Sequence, residues 1–422
     1  MSVAVETVLA TCFLFLCMMH KVFWIRLALI NLSIVALLGL TLRTKIIFSI
    51  PFLDYRNVLS THSHFAFAGW AGLALLTLLI YNLLPQPLLA KRIYQWILVL
   101  VEVSSLGMAV SFPFEGYGLF SVFFSSLYIF ATYVFAFVFI KDVLAAGKDR
   151  TITLLSITAV ISLVISSIGP FSLSYIMISK SSDSYLYRDS IYTFLHFQYN
   201  GFFTLSVLAL VTQFIATRTG VITKEVKKFA QLMVASIVPS LFLSLLWHNN
   251  KLFYVLAICG CVLLIMSMYY FLAFIRTNNP SVLLQSQLAK RLFQLAFLSF
   301  AIKTILHLGT ILPPLANAVY GDRPVIIGFL HLVFLGFITF YILSYLAEQG
   351  FFKRGERNVH FPVLLFSAGI IVNELLLGLQ GLGVLFKTNS YLFNWLLWFD
   401  SILLFLGAVS IALSQLFIRQ AH

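Results

Sequence analysis

Charge is what this sequence has least of. Only 10% of its 422 residues are Asp, Glu, Lys or Arg, and just 14 of them are acidic against 27 basic. Soluble domains carry about a quarter charged residues and are about half apolar. Here 61% are hydrophobic and the mean hydropathy is +1.00. A water-soluble core cannot hide that much apolar surface, which excludes soluble, disordered and collagen-like classes. Cysteine is also scarce, with only Cys12, Cys17, Cys259 and Cys261. Four thiols at these spacings form neither a disulfide framework nor a zinc finger, and no C-x-x-C-H is present to attach a c-type haem covalently. They read as structural thiols in helices. Period-two alternation is missing too, so a transmembrane barrel is excluded. No stretch is long or polar enough for a separate soluble domain.

What remains is apolar runs of helical length, since only helices or closed barrels satisfy every backbone group in lipid. Polar breaks divide the chain into twelve runs, near 22–42, 58–84, 93–113, 118–140, 152–176, 190–216, 228–249, 252–275, 291–313, 324–347, 360–385 and 391–417. The expected fold is all-α: a polytopic membrane protein, one integral membrane domain over 1–422. Residues 1–20 read either as an interfacial segment or as sequence ahead of a later start at Met18 or Met19. Glu6 stands where a signal peptide would be basic.

Lys and Arg set the orientation. Alternate loops, with both ends of the chain, collect 18 of the 27; the opposite side holds 8, and Lys303 lies inside a span. Both termini are therefore expected in the cytoplasm of a bacterial inner membrane. The net charge of +13 expresses that topology and the cluster Lys224–Lys228 is an inner loop, so no nucleic-acid partner is expected. The partner is membrane lipid.

Chemistry in a membrane shows as ionisable groups inside the spans, where each is expensive and needs a partner. With His20, His360 and His422 set aside at span ends and termini, six histidines remain: His62, His64, His196, His248, His307 and His331. By span direction all six fall in the outer half of the bilayer. Imidazoles at matched depth on different helices can ligate haem iron or copper. Each can equally be a hydrogen-bonded contact between helices, and His248, followed by Asn249 and Asn250, can lie in the outer loop. His62 and His64 are two apart and so point about 200° apart on a helix. One then ligates while the other faces a neighbouring helix, and Gly69 admits a close neighbour or a flat macrocycle. Tyr199 sits one turn from His196 and can donate to a metal-bound ligand. Arg56, outside His62, and Arg323, two turns before His331, are candidate partners for haem propionates or simply snorkel to the interface. Glu102, Lys303, Glu374 and Asp400 are the other ionisables within spans, with Lys303 and Glu374 at a depth that allows an ion pair.

Twelve spans with histidines on spans 2, 6, 7 and 10 resemble the catalytic subunit I of the haem-copper oxidases. The segments THSHFAFAGW, LHFQYNGF and LHLVFLG are similar to a little-characterised bacterial branch of that superfamily, and resemble haem- and copper-containing membrane proteins linked to nitric oxide stress. The resemblance implies that His62 or His64 pairs with His331 on a low-spin haem. It implies His196 as the span 6 copper ligand and His248 as one span 7 ligand. The chain departs from the pattern: His331 is followed by Leu332-Val333 rather than a second histidine, span 7 has one histidine rather than two, Tyr199 lies three rather than four residues after His196, and Lys387 stands alone before span 12.

The expectation is a haem-binding redox protein with one haem b, substoichiometric copper, and Tyr199 as a hydrogen-bond partner near His196. If it is an enzyme, it is an oxidoreductase of the oxygen- or nitric-oxide-reducing type, fed by a cytochrome or a quinol. The alternative is a secondary transporter working through Lys303, Glu374 and Asp400. Against that, the two halves show no clear repeat and no long central inner loop. A structural or assembly role is a third class.

Overall fold

The computed structural model describes residues 20–278, 280–354, 357–358 and 360–416. Cys12, Cys17, the segment 1–19, Arg419 and His422 lie outside the described residues.

Among the described residues twelve helices are long and apolar enough to cross a membrane. Spans 1 to 4 are Lys21–Ile47, Tyr55–Leu83, Arg92–Glu115 and Leu119–Ala145; spans 5 to 8 are Arg150–Ser179, Ser184–Thr219, Lys224–Ser244 and Lys251–Arg276; spans 9 to 12 are Gln287–Gly309, Arg323–Glu348, Phe361–Leu385 and Leu392–Gln415. The fold is all-α, as the apolar runs require, and the chain is a multi-pass membrane protein. The described extended backbone is one two-residue antiparallel pair, Lys353–Arg354 with Arg357–Asn358, in the loop between spans 10 and 11. Exposed Phe137, Ile258 and Leu375 belong to the apolar surface that such helices turn to lipid.

Side-chain caps end several breaks between spans. Asp54 accepts from the backbone N–H of Arg56 and Asn57 at the start of span 2, and Asp183 accepts from Tyr185 and Leu186 at the start of span 6. A capping carboxylate satisfies amide donors that the first turn leaves without partners.

The chain forms two compact units, Met1–Lys148 and Asp149–His422. The first contains spans 1 to 4 and the second spans 5 to 12. Within them one packing scheme occurs three times. In each successive group of four spans the first packs on the second and the third packs on the fourth. The chain thus repeats in thirds of four spans, which comparing its halves could not show.

The second helix of each group also changes its winding at the same place. Span 2 turns to π-helix over Ala66–Gly72, span 6 over Phe197–Phe203 and span 10 over Leu332–Thr339. Each π-turn begins within two residues of a histidine: His64, His196 and His331. Each π-segment packs against the first span of its own group. The sequence behind this is a shared pattern, His-[Phe/Leu]-x-[Phe/Tyr]-x-Gly-[Trp/Phe], at His64–Trp70, His196–Phe202 and His331–Phe337. Its glycine is needed for close packing. A Cβ on Gly201 would stand 2.4 Å from Ser162 Cβ on span 5, and one on Gly336 2.8 Å from Ser299 Oγ on span 9. At Gly69 the room is taken by the ring of Phe65, 2.7 Å from where a Cβ would be.

Candidate functional site

The π-turn of span 6 builds a buried polar cluster in the second unit. A π-turn inserts one extra residue into the helix and turns the following side chains. Here it sets His196, Asn200 and Thr204 toward span 9, where Lys303 is 2% exposed. Lys303 Nζ donates to Asn200 Oδ1 over 2.8 Å and to Thr204 Oγ1 over 3.0 Å. Thr204 in turn donates to the Tyr199 carbonyl, five residues back, over 2.5 Å.

The chain of donors fixes the protons. An ammonium can only donate, so Asn200 Oδ1 is the acceptor and its amide N–H faces His196 Nδ1, 3.2 Å away. That ring nitrogen therefore carries the lone pair. His196 Nε2–H then donates to the Ile237 carbonyl of span 7 over 2.8 Å, since a carbonyl can only accept. Both nitrogens of His196 are engaged.

His307 is in the opposite condition. It lies one turn beyond Lys303, its ring 5.8 Å from that of His196, and it is 4% exposed. Among the described residues its Nε2 is buried with no hydrogen-bond partner. His307 also lines a cavity of about 40 Å³, with Tyr199, Ser244, Thr310, Phe329 and Tyr192 among others. The Tyr199 ring stands edge-on to Phe329. Tyr199 therefore lines a cavity beside His307. The hydrogen-bond partners of His196 are Asn200 and Ile237.

His331, on span 10 of the same unit, fixes its Nδ1–H on the Ile327 carbonyl over 2.8 Å. Arg323 opens that span and is exposed. His248 lies beyond the end of span 7, in the short turn Leu246–His248. The Asp189 carboxylate holds it, accepting from His248 Nε2 over 2.7 Å and from Trp247 Nε1 over 3.0 Å. His248 thus belongs to a loop contact, the role that its Asn-Asn flank allows.

In the first unit His62 and His64 diverge as the helix requires. His62 turns to span 1, donating Nδ1–H to the Val35 carbonyl over 3.1 Å with its ring against Gly39. His64 turns to the end of span 3, stacked on Phe112 at 4.7 Å, with Nε2 3.2 Å from the Tyr117 hydroxyl. Asn31 Nδ2 spans both the Gly69 carbonyl and Glu102 Oε2 at 2.8 Å each. Arg56 is exposed at the start of span 2.

The carboxylates correct one expectation. Lys303 does not pair with Glu374: its partners are Asn200 and Thr204, and Glu374 accepts from its neighbour Asn373 over 3.2 Å. Among the described residues no three His, Cys, Asp or Glu side chains converge as a metal site. Two histidines place Nδ1–H on a backbone carbonyl, the tautomer that metal-binding imidazoles show: His62 on Val35 and His331 on Ile327. That tautomer in His62 and His331 fits an axial haem ligand; the nitrogens of His196 are engaged by Ile237 and Asn200.

The chain matches no protein-family model. No curated protein matches it.

Proposed function

We propose that this chain is a haem-binding redox protein of the bacterial inner membrane, built on a fold like that of haem-copper oxidase subunit I, with both termini in the cytoplasm. The observation that carries the reading is the threefold recurrence of a histidine at a π-turn, on spans 2, 6 and 10. Helical winding of this kind is rare, and it gathers at functional sites. Here it coincides each time with the residue type best suited to hold iron.

In this reading His331 is a haem b ligand, and of the span 2 pair His62 is the member whose Nδ1 contact on a carbonyl suits ligation. Bound haem supplies a one-electron carrier whose potential the axial imidazoles and their surroundings tune. The rest is the work of the chain's own side chains. The Val35 and Ile327 carbonyls hold the two rings by Nδ1–H, which fixes the tautomer and the direction of each Nε2. Arg56 and Arg323 offer guanidinium groups to propionates. Copper is not assigned a full site, because the span 6 histidine is saturated by Asn200 and Ile237 and the span 7 histidine is held by Asp189. The electron donor is a cytochrome or a quinol, and the acceptor is oxygen, nitric oxide or a second carrier. The absorption spectrum of the purified protein, oxidised and reduced, tests the proposal. A Soret band and a sharp α-band on reduction are expected.

A further inference from the structure

We propose that the open cavity where span 5 ends and span 6 begins holds the zwitterionic headgroup of one phosphatidylethanolamine molecule, its phosphate on Arg188 and its ammonium on Asp183. The proposal concerns the unit Asp149–His422 alone and does not depend on haem.

The cavity measures about 480 Å³, within the range of about 300–1,000 Å³ that small-molecule sites occupy. Ser182, Asp183, Ser184 and Arg188 line it on the polar side. Its apolar lining includes Ile176 of span 5, Ile191 of span 6 and Ile326 of span 10, each one to two turns inside its helix. Tyr175, Tyr185 and Tyr187, beside it in the chain, are exposed. Tyrosine collects at the level where lipid headgroups meet hydrocarbon. A site with a polar end at that level and an apolar end within the spans suits an amphiphile that lies in the membrane.

The charges on the lining choose the headgroup. Arg188 lies over the Tyr320 ring, 4.0 Å from its centroid, and gives one N–H to the Tyr320 carbonyl. A guanidinium has five N–H donors, so this grip positions the group and leaves donors for a phosphate, which arginine binds by paired hydrogen bonds. Asp183 accepts the backbone N–H of Tyr185 and Leu186 on Oδ1. Among the described residues its Oδ2 accepts no hydrogen bond, and neither Asp183 nor Arg188 belongs to an ion pair. The nearby carboxylate of Asp189 is taken by His248 and Trp247. One cavity thus presents a cation and an anion that do not neutralise each other. A guest with a single charge of either sign meets one repulsion, and a zwitterion meets none. A primary ammonium has three N–H groups to give to Asp183 Oδ2 and to serine hydroxyls, whereas a quaternary ammonium has none.

Native mass spectrometry of the purified full chain tests this, with titration of phosphatidylethanolamine, phosphatidylcholine and phosphatidylglycerol of identical acyl chains. The first lipid bound by wild type should be phosphatidylethanolamine, with at least fivefold the affinity of either other lipid. Free phosphoethanolamine at the same concentration should not displace it, because that molecule leaves the isoleucines uncovered. Asp183→Asn keeps a capping acceptor at the start of span 6 and removes the negative charge, so its preference should reverse toward phosphatidylglycerol. Arg188→Gln should weaken both lipids at least fivefold. Wild-type affinities that are equal, or highest for phosphatidylcholine or phosphatidylglycerol, would overturn the site. A preference unchanged in Asp183→Asn would overturn the place of the ammonium, and affinities unchanged in Arg188→Gln that of the phosphate. Displacement by phosphoethanolamine would overturn the lipid as the source of the headgroup. The wild-type comparison stands without any variant. Each preference is read between lipids on one preparation, so it is the same with and without haem.

Discussion

Lys303 on span 9 donates a hydrogen bond to Asn200 on span 6 across 2.8 Å, and among the described residues no carboxylate pairs with it. The ammonium is satisfied by an amide oxygen, a threonine hydroxyl and the face of Phe300, 5.6 Å from its nitrogen. Dipoles replace a counter-ion, and the polarity they impose runs on through Asn200 to His196 and the Ile237 carbonyl. Asn200 is thus the hinge of the network: it accepts at one end and donates at the other.

Asn200→Leu removes both roles at once and leaves Lys303 and His196 short of partners. Breaking a buried charged contact on one side costs about 3–5 kcal/mol. The variant should unfold at clearly lower denaturant than wild type. Lys303→Met added to Asn200→Leu should recover part of the loss, since it removes the stranded charge. Additive losses in the double-mutant cycle would contradict the network.

The π-turn of span 6 depends on Gly201. Gly201→Ala places a methyl 2.4 Å from Ser162 Cβ, and overpacking of this kind costs roughly 1–3 kcal/mol. A lower thermal midpoint is expected. Ser162→Gly should restore most of it, because the clash is with the serine side chain itself. No rescue would mean that the glycine serves the backbone rather than the contact.

Orientation follows from the basic loops. A single cysteine placed at Lys227, in a chain with Cys12, Cys17, Cys259 and Cys261 replaced by serine, should react with an impermeant maleimide only in inverted vesicles. Labelling from outside intact cells would reverse the topology.

Much of the fold was legible in the sequence. Each of the twelve apolar runs overlaps one helix of the structure, because length and hydropathy alone decide which segments can leave water. The ends were less clear: the run at 291–313 crosses Pro313, where the structure ends span 9 at Gly309 and starts a new helix, Pro313–Gly321. The winding was not legible from hydropathy. An α-turn and a π-turn bury the same residue types, and only the pattern His-[Phe/Leu]-x-[Phe/Tyr]-x-Gly marks the difference. That pattern repeats every four spans, so comparing halves hides it. The candidate site was half legible. His196 and Lys303 stand out as polar groups in apolar runs, and the divergence of His62 from His64 follows from helical angle. Nothing in the sequence shows what His307 faces, because depth along a span does not say which way a side chain points. The lysine that depth matched to Glu374 faces Asn200 for the same reason.

The central claim is that His331 holds a haem. Purified wild-type protein and the variants His331→Ala and His307→Ala should be compared by reduced-minus-oxidised absorption spectra and by haem content per chain. The account predicts one haem b per chain with a sharp α-band in wild type and in His307→Ala, and loss of that band in His331→Ala with the protein still monodisperse. A wild-type protein without haem, or unchanged haem in His331→Ala, would contradict it.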